Sequence, residues 1–209
     1  MYTPPAFREE DPAEIRRIIG EARLSTLVTM TGEGLMATPL PLLLDEQEGA
    51  LGTLYGHVAK ANRQWMHAGE ADALVIFPGP DAYVTPSWYA AKPEHGKVVP
   101  TWNYLAVHAY GRPEFFDDED RLLAVVTRLT DRHEQGRENP WAVADAPAAF
   151  IRAQLKGIVG VRLPIARLEG KRKMSQNRSQ ADRDGVVAGL SASGRSEDAA
   201  VAGLVAGRT

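Results

Sequence analysis

Residues 56–62 read GHVAKAN and place His57, Lys60 and Asn62 within six positions of one another. The segment follows a strand-like stretch and precedes a short helical one, so backbone amides, an imidazole, an ammonium and a carboxamide can converge on one point. Such a convergence can hold a phosphate group. The alternative is a set of solvated residues at the end of a strand. Gly56 allows a close backbone approach and so favours the phosphate interpretation.

Two aromatic segments offer surfaces for a planar ring. Residues 79–89 read GPDAYVTPSWY and end on Trp88 and Tyr89, and residues 99–104 read VPTWNY and contain Thr101, Trp102 and Asn103. Rigid aromatic rings make good walls for a planar ligand, and the hydroxyl and carboxamide groups can read its heteroatom edge. The alternative is that these rings plug the end of a barrel or line a dimer interface.

A basic segment, GKRKMSQNR at residues 170–178, follows the last predicted strand. It carries four cations and three amide or hydroxyl groups: Lys171, Arg172, Lys173, Arg178, Ser175, Gln176 and Asn177. Such a cluster can contact a phosphate or a nucleic acid, or it can be a solvated exit from the strand. These three interpretations stay open at this point.

Composition excludes several classes of function. The chain has no cysteine, which removes disulfides, thiolate nucleophiles and Cys-ligated metals. The five histidines are widely spread and show no ligand pairing, so we expect no metal site. No GxSxG nucleophile motif and no glycine-rich βαβ fingerprint occurs, and no catalytic residue can be named. The formal net charge of -3 gives no global attraction to nucleic acid. With no targeting segment and no long apolar run, we expect a cytoplasmic protein without a membrane span.

The element pattern predicts a mainly β protein with helices, of the α+β class. Capping residues and apolar spacing predict a helix at about residues 12–21, and a second amphipathic helix at about 118–133. The strands follow one another along the chain, with a break expected at Pro78-Gly79-Pro80 and a long strand at Gly157–Leu168 that would close the sheet. We expect a barrel domain over residues 1–169, with residues 170–209 as a basic segment and helical tail packed on it.

These segments together resemble the PaiB-like family of FMN-binding negative transcriptional regulators. The motifs occur in family order over residues 1–189: MYTPPAF, GHVAKAN followed by Trp65, PGPDAYVTPSWY, VVPTWNY and LEGKRKMSQNR. One motif alone would be weak, but the ordered set is specific. Arg63 departs from the pattern, because a proline is expected after the asparagine; the change should alter the helix entry without removing a ligand group.

The resemblance implies an FMN-binding split β-barrel related to pyridoxamine-phosphate-oxidase-like flavoproteins, in a homodimer with FMN at the subunit interface. It places His57, Lys60 and Asn62 at the phosphate end of FMN. It implies that the ring is flanked or read by Trp88, Thr101, Trp102 and Asn103. The closing motif contributes Lys173, Ser175, Gln176 and Asn177 near the same pocket.

Three functions follow as hypotheses. The first is an FMN-binding negative regulator; DNA is a possible partner, although no helix-turn-helix pattern is present. The second is an FMN-dependent oxidoreductase, because the flavin itself carries the redox chemistry and the protein positions it. The third is a barrel that has lost flavin, serving as a dimeric interaction module or binding haem or another planar ligand.

Overall fold

A computed structural model of the chain describes residues 1–68 and 71–207. The chain folds into two compact units. Unit 1 comprises residues 1–18, 78–107 and the segment from Glu169 onward, and unit 2 comprises residues 19–77 and 108–168. The predicted boundary between residues 169 and 170 stays a prediction, and the last two residues of that predicted tail lie outside the described part.

Seven α-helices and ten strands are present among the described residues. The helices are α1 (Pro12–Glu21), α2 (Gln64–His67), α3 (Ala91–His95), α4 (Glu119–Glu134), α5 (Ala148–Leu155), α6 (Gln180–Ser191) and α7 (Ser196–Val205). The strands are β1 (Arg8–Glu9), β2 (Ser25–Thr31), β3 (Gly34–Leu40), β4 (Leu43–Asp45), β5 (Thr53–Ala59), β6 (Ala73–Val84), β7 (Thr101–Gly111), β8 (Glu114–Phe116), β9 (Ile158–Pro164) and β10 (Arg167–Lys173). Short 3-10 helices lie at Pro5–Phe7, Pro86–Trp88 and Val143–Asp145.

In unit 1 the strands lie in the order β1-β10-β7-β6, with β1 antiparallel to β10. The C-terminal helices α6 and α7 pack on each other. Two arginines satisfy carbonyls in the last turn of α7: Arg172 donates to the Leu204 carbonyl over 3.0 Å, and Arg183 donates to the Val205 carbonyl over 2.7 Å. The last carbonyls of a helix have no partners within the helix. These two hydrogen bonds satisfy such carbonyls and hold the C-terminal end of α7 in place.

In unit 2 strand β2 is antiparallel to β3 along its whole length and to β6 at Leu74–Ile76. A second sheet has the order β4-β5-β9-β8. Helix α4 begins after Asp118, whose carboxylate accepts a hydrogen bond from the backbone of Arg121. The apolar face of α4 packs in a core cluster with residues of the second sheet and α5: Leu43, Phe116, Leu122, Val125, Leu129 and Leu155.

The predicted α+β class with antiparallel strands is confirmed, and the two predicted helices match α1 and α4 to within one residue. Two strand predictions are wrong. Strand β6 runs without a break through Pro78 and Pro80, because its pairing with β2 ends at Ile76 and the prolines follow. The stretch 157–168 is not one strand: β9 joins the second sheet and β10 pairs with β1. Among the described residues neither sheet closes on itself.

No helix in the described ranges combines the length and the apolar character that crossing a membrane requires.

Candidate functional site

The predicted phosphate segment lies in unit 2, at the end of β5. His57 pairs with Gly160 of β9 and is half-buried. Its Nδ1 atom is buried and has no hydrogen-bond partner within the described residues. Burial lowers the pKa of the imidazole below its ordinary value of 6.5, so the ring is neutral at neutral pH. The Nδ1 atom of His57 therefore lacks a hydrogen bond, although buried polar atoms normally have one.

Lys60 lies just past the end of β5 and its side chain is exposed. Its backbone is held on both sides: the amide donates to the Gly157 carbonyl over 2.8 Å, and the carbonyl accepts from the Trp65 indole over 3.0 Å. In the part of the chain that is described, the Lys60 ammonium has no ion pair. The turn thus presents one cation from a fixed backbone.

The side chain of Asn62 hydrogen-bonds to other residues of the chain. Its Nδ2 donates to the Thr38 hydroxyl over 2.8 Å, and its Oδ1 accepts from the backbone amide of Gln64 over 3.0 Å. Arg63, which stands where the family pattern has proline, has a φ of −68°. That is the value a proline ring would impose, so the arginine is accommodated at the start of α2 without a change in this torsion.

The predicted ring and closing-motif residues lie in unit 1, where the fold joins two segments far apart in sequence. The Lys173 ammonium donates to the Thr101 hydroxyl. The Asn103 amide donates to the Ser175 hydroxyl over 3.0 Å, and both side chains are buried. Ser175 has a φ of 60°, the left-handed region that residues other than glycine rarely adopt.

Gln176 and Asn177 differ in their surroundings. Gln176 bonds to the backbone around it: its Oε1 accepts from the Met174 amide over 2.6 Å, and its Nε2 donates to the Arg172 carbonyl. Asn177 is exposed, and no side-chain hydrogen bond to it occurs within residues 1–68 and 71–207. Gln176 therefore shapes the turn, whereas the Asn177 amide is available to a ligand.

The two predicted tryptophans also differ. Trp102 is exposed and meets the exposed Tyr83 edge to face, with ring centroids 5.9 Å apart. Trp88 is half-buried and lies on α6, where Cβ atoms at Gly185 and Gly189 would fall 2.0 Å from its carbonyl oxygen and 2.3 Å from its indole ring. Sequence reasoning did not single out Tyr83 as a site residue, although the aromatic segment at 79–89 contains it.

The predicted residues thus form two groups, each described within its own unit. His57, Lys60 and Asn62 belong to unit 2, and the other eight belong to unit 1. In unit 1 the structure pairs Thr101 with Lys173 and Asn103 with Ser175.

Comparison with known proteins identifies the family. A family model described as "Putative FMN-binding domain" matches residues 1–167. The chain is similar to the Protease synthase and sporulation protein PAI 2 of Bacillus subtilis, at 34% identity over 90% of this chain and 87% of that protein. It is also similar to the uncharacterized protein AN0679 of Emericella nidulans, at 33% identity over 98% of this chain and 96% of that protein.

Solved structures show the fold. The FAD and heme binding protein from Mycobacterium smegmatis matches 79% of this chain and 73% of its own, with a TM-score of 0.59 at 16% identity. The flavocytochrome Anf3 from Azotobacter vinelandii matches 79% of this chain and 69% of its own, with a TM-score of 0.58 at 17% identity. At such identities the likeness concerns the fold, which is that of flavin-binding split-barrel proteins. The family model over residues 1–167 and the similarity to PAI 2 show that the chain belongs to the FMN-binding domain family, with a flavin as its cofactor.

Proposed function

We propose that the His57–Lys60 segment holds the phosphate of FMN. The observation that carries this proposal is the buried, unpartnered Nδ1 of His57, three residues from an exposed ammonium whose backbone is fixed. A neutral imidazole can donate one N–H to a phosphate oxygen, and the lysine supplies the positive charge. Asn62 has its polar atoms engaged with Thr38 and Gln64 and acts on this site as a positioning residue.

For the unit 1 residues, taken by themselves, we propose contact with a flavin ring, as the family resemblance implies. Trp102 offers an exposed aromatic face, and Thr101, Lys173 and Asn177 offer groups that can hydrogen-bond to ring heteroatoms. Four further residues of the predicted set already bond or pack within the chain and hold the others in place: Trp88, Asn103, Ser175 and Gln176. Bound FMN would supply the redox chemistry.

The proposed biological role is that of an FMN-binding negative regulator in the cytoplasm. Support comes from the family resemblance and from the similarity to the PAI 2 protein. An FMN-dependent oxidoreductase is the second candidate of the sequence analysis, and no feature of the described residues favours it over the regulator. NADH turnover by the flavin-loaded protein would support the oxidoreductase, whereas salt-sensitive binding to promoter DNA would support a regulator that contacts DNA directly.

We further propose that the protein is a homodimer. In unit 2 the face of β2 and β3 that alternates with the buried one is mostly apolar, and its β3 residues Leu35, Ala37 and Pro39 are exposed. Met30 and Leu35 are cross-strand neighbours on it with 51% and 71% of their surface exposed, and Val28 beside them pairs with Ala37 and with Leu74 of β6. Contiguous exposed apolar surface of this kind marks protein interfaces, and a second copy of the chain would cover it.

The phosphate assignment is tested by measuring the affinity for FMN and for riboflavin, which lacks the phosphate. In the wild type we expect FMN to bind more tightly than riboflavin. Lys60→Ala and His57→Ala should each weaken FMN binding by roughly tenfold or more, the loss of one charge-assisted contact, and leave riboflavin binding within about twofold. Unchanged FMN affinity in both variants would refute the assignment.

A further inference from the structure

Gln64, the first residue of α2, is a polar residue with no exposed surface. Its Nε2 lies within hydrogen-bonding distance of the Leu27 carbonyl at 3.2 Å, the Thr29 hydroxyl at 3.0 Å and the Met36 carbonyl at 3.2 Å. An amide nitrogen has two hydrogens, so two of the three acceptors are used at a time. All three acceptors belong to the β2–β3 hairpin, so this one side chain fastens the start of α2 to two strands.

The other polar atom of the Gln64 side chain, Oε1, lowers the stability of the fold. This oxygen is buried and has no hydrogen-bond partner within the described residues. A buried polar atom without a partner lowers stability; an apolar side chain of similar length would avoid that loss but would also lose the Nε2 hydrogen bonds to the hairpin. The hydrogen bonds to β2 and β3, and not apolar packing, therefore account for a glutamine at this position.

The bonds around Gln64 lead to the turn that carries Lys60. The Gln64 backbone amide donates to Asn62 Oδ1, and Asn62 Nδ2 donates to the Thr38 hydroxyl on β3. The next residue, Trp65, donates its indole N–H to the Lys60 carbonyl. The turn between β5 and α2 is thus tied to the hairpin by Gln64 and Asn62, and Lys60 is tied to α2 by Trp65.

We propose that Gln64 is a positioning residue of the phosphate site. It holds the first turn of α2 on the β2–β3 hairpin, and this fixes the backbone from which Lys60 meets the phosphate. A cation held in place before binding loses less conformational freedom when the ligand arrives, which raises affinity for the group it contacts. This inference rests on the proposed role of His57 and Lys60.

The test compares FMN with riboflavin in Gln64→Met, which keeps the length of the side chain and removes its hydrogen bonds. We expect FMN affinity to fall by roughly tenfold and riboflavin affinity to stay within about twofold, since only the phosphate contact depends on the turn. Thr38→Val, which removes the anchor of Asn62, should give a smaller loss of the same kind. Gln47→Met, the same substitution at an exposed turn, serves as the matched control and should change neither affinity.

The outcomes separate the two proposals. An equal loss of FMN and riboflavin affinity would mean that Gln64 supports the fold in general and would overturn the positioning role. A folded Gln64→Met protein with wild-type FMN affinity would overturn it as well, and if that variant does not fold, Thr38→Val decides in the same way. If Lys60→Ala and His57→Ala both leave FMN affinity unchanged, the phosphate assignment fails and the positioning role fails with it. If these two variants lose FMN affinity and Gln64→Met and Thr38→Val do not, the phosphate assignment stands and the positioning role fails.

Discussion

The Asn103 amide and the Ser175 hydroxyl form a buried hydrogen bond of 3.0 Å between residues 72 positions apart. The hydroxyl also lies 3.2 Å from the Asn103 Oδ1, to which it can donate. This pair fixes the turn after β10 against β7, and on the same two segments Lys173 meets Thr101. The contact therefore links the closing motif of the sequence to the aromatic segment that precedes it.

The left-handed backbone of Ser175 gives a prediction with a matched pair of variants. Ser175→Ala and Ser175→Gly both remove the hydroxyl, but only glycine adopts a φ of 60° without steric cost. We expect the glycine variant to be the more stable of the two by about 1–2 kcal/mol, the cost of a left-handed conformation for a residue with a Cβ. Urea unfolding measures the difference. Equal stability of the two variants would contradict it.

The packing of Trp88 against the glycines of α6 gives a second prediction. In Gly189→Ala the new Cβ would lie 2.3 Å from the indole, so the ring or the helix must move. We expect the free energy of unfolding to fall by about 1–3 kcal/mol, as is usual for overpacking. The control is Gly20→Ala in α1, where a Cβ meets no described atom within 4 Å and alanine should add about 0.5–1 kcal/mol. If both variants gain stability to the same extent, the Trp88 indole does not pack against Gly189 as described.

The half-buried imidazole of His57 makes stability depend on pH. Its pKa in the folded protein is lowered by burial, below the value of 6.5 expected in the unfolded chain. As the pH falls below 6.5, the unfolded chain binds a proton that the folded protein takes up only at lower pH, so the free energy of unfolding decreases. Above 6.5 the imidazole is neutral in both states and makes no such difference.

We therefore expect the loss of stability between about pH 8 and about pH 5.5 to be smaller in His57→Gln than in the wild type, as measured by urea unfolding at both values. His133→Gln, the same change at an exposed histidine, is the control. An identical pH dependence in His57→Gln and the wild type would show that this imidazole is not buried as neutral.

The apolar face of β2 and β3 predicts the assembly state. Leu35→Lys places a charge at its most exposed position and should shift a homodimer toward monomer, because a buried unpaired charge is costly at an interface. Leu51→Lys, a change at another exposed leucine of unit 2, should leave the dimer intact. Sedimentation velocity over a range of concentrations distinguishes the cases. A monomeric wild type, or a Leu35→Lys protein that dimerises as tightly, would contradict the proposal.

Local signals predicted much of the secondary structure. Asp11 and Pro12 mark the start of α1, and the four acidic residues at 117–120 mark the start of α4, because both patterns act within one helical turn. The continuity of β6 was not predictable in this way. Whether Pro78 and Pro80 interrupt a strand depends on where pairing with β2 ends, and that is a long-range property.

In the candidate site, too, features that depend on local sequence were predictable and features that depend on long-range contacts were not. Residue types and family motifs pointed to His57 and Lys60, but the internal bonds of Asn62 and the seat of Trp88 depend on partners in distant segments. Trp88 meets two glycines about 100 positions later in the chain, which have no local signature as a site. Gln64 was missed because its three acceptors come from two strands far upstream, and only the fold brings them together.

The most direct test of the account is retention of FMN. Purified protein is incubated with FMN, freed of unbound flavin by gel filtration and examined by visible absorption, with the Lys60→Ala variant treated alongside. We predict a retained flavin spectrum in the wild type and a clearly reduced one in the variant, since the lysine carries the charge that meets the phosphate. A wild-type protein that stays colourless after incubation would contradict the assignment of FMN to this chain, and equal retention by the variant would contradict the role of Lys60.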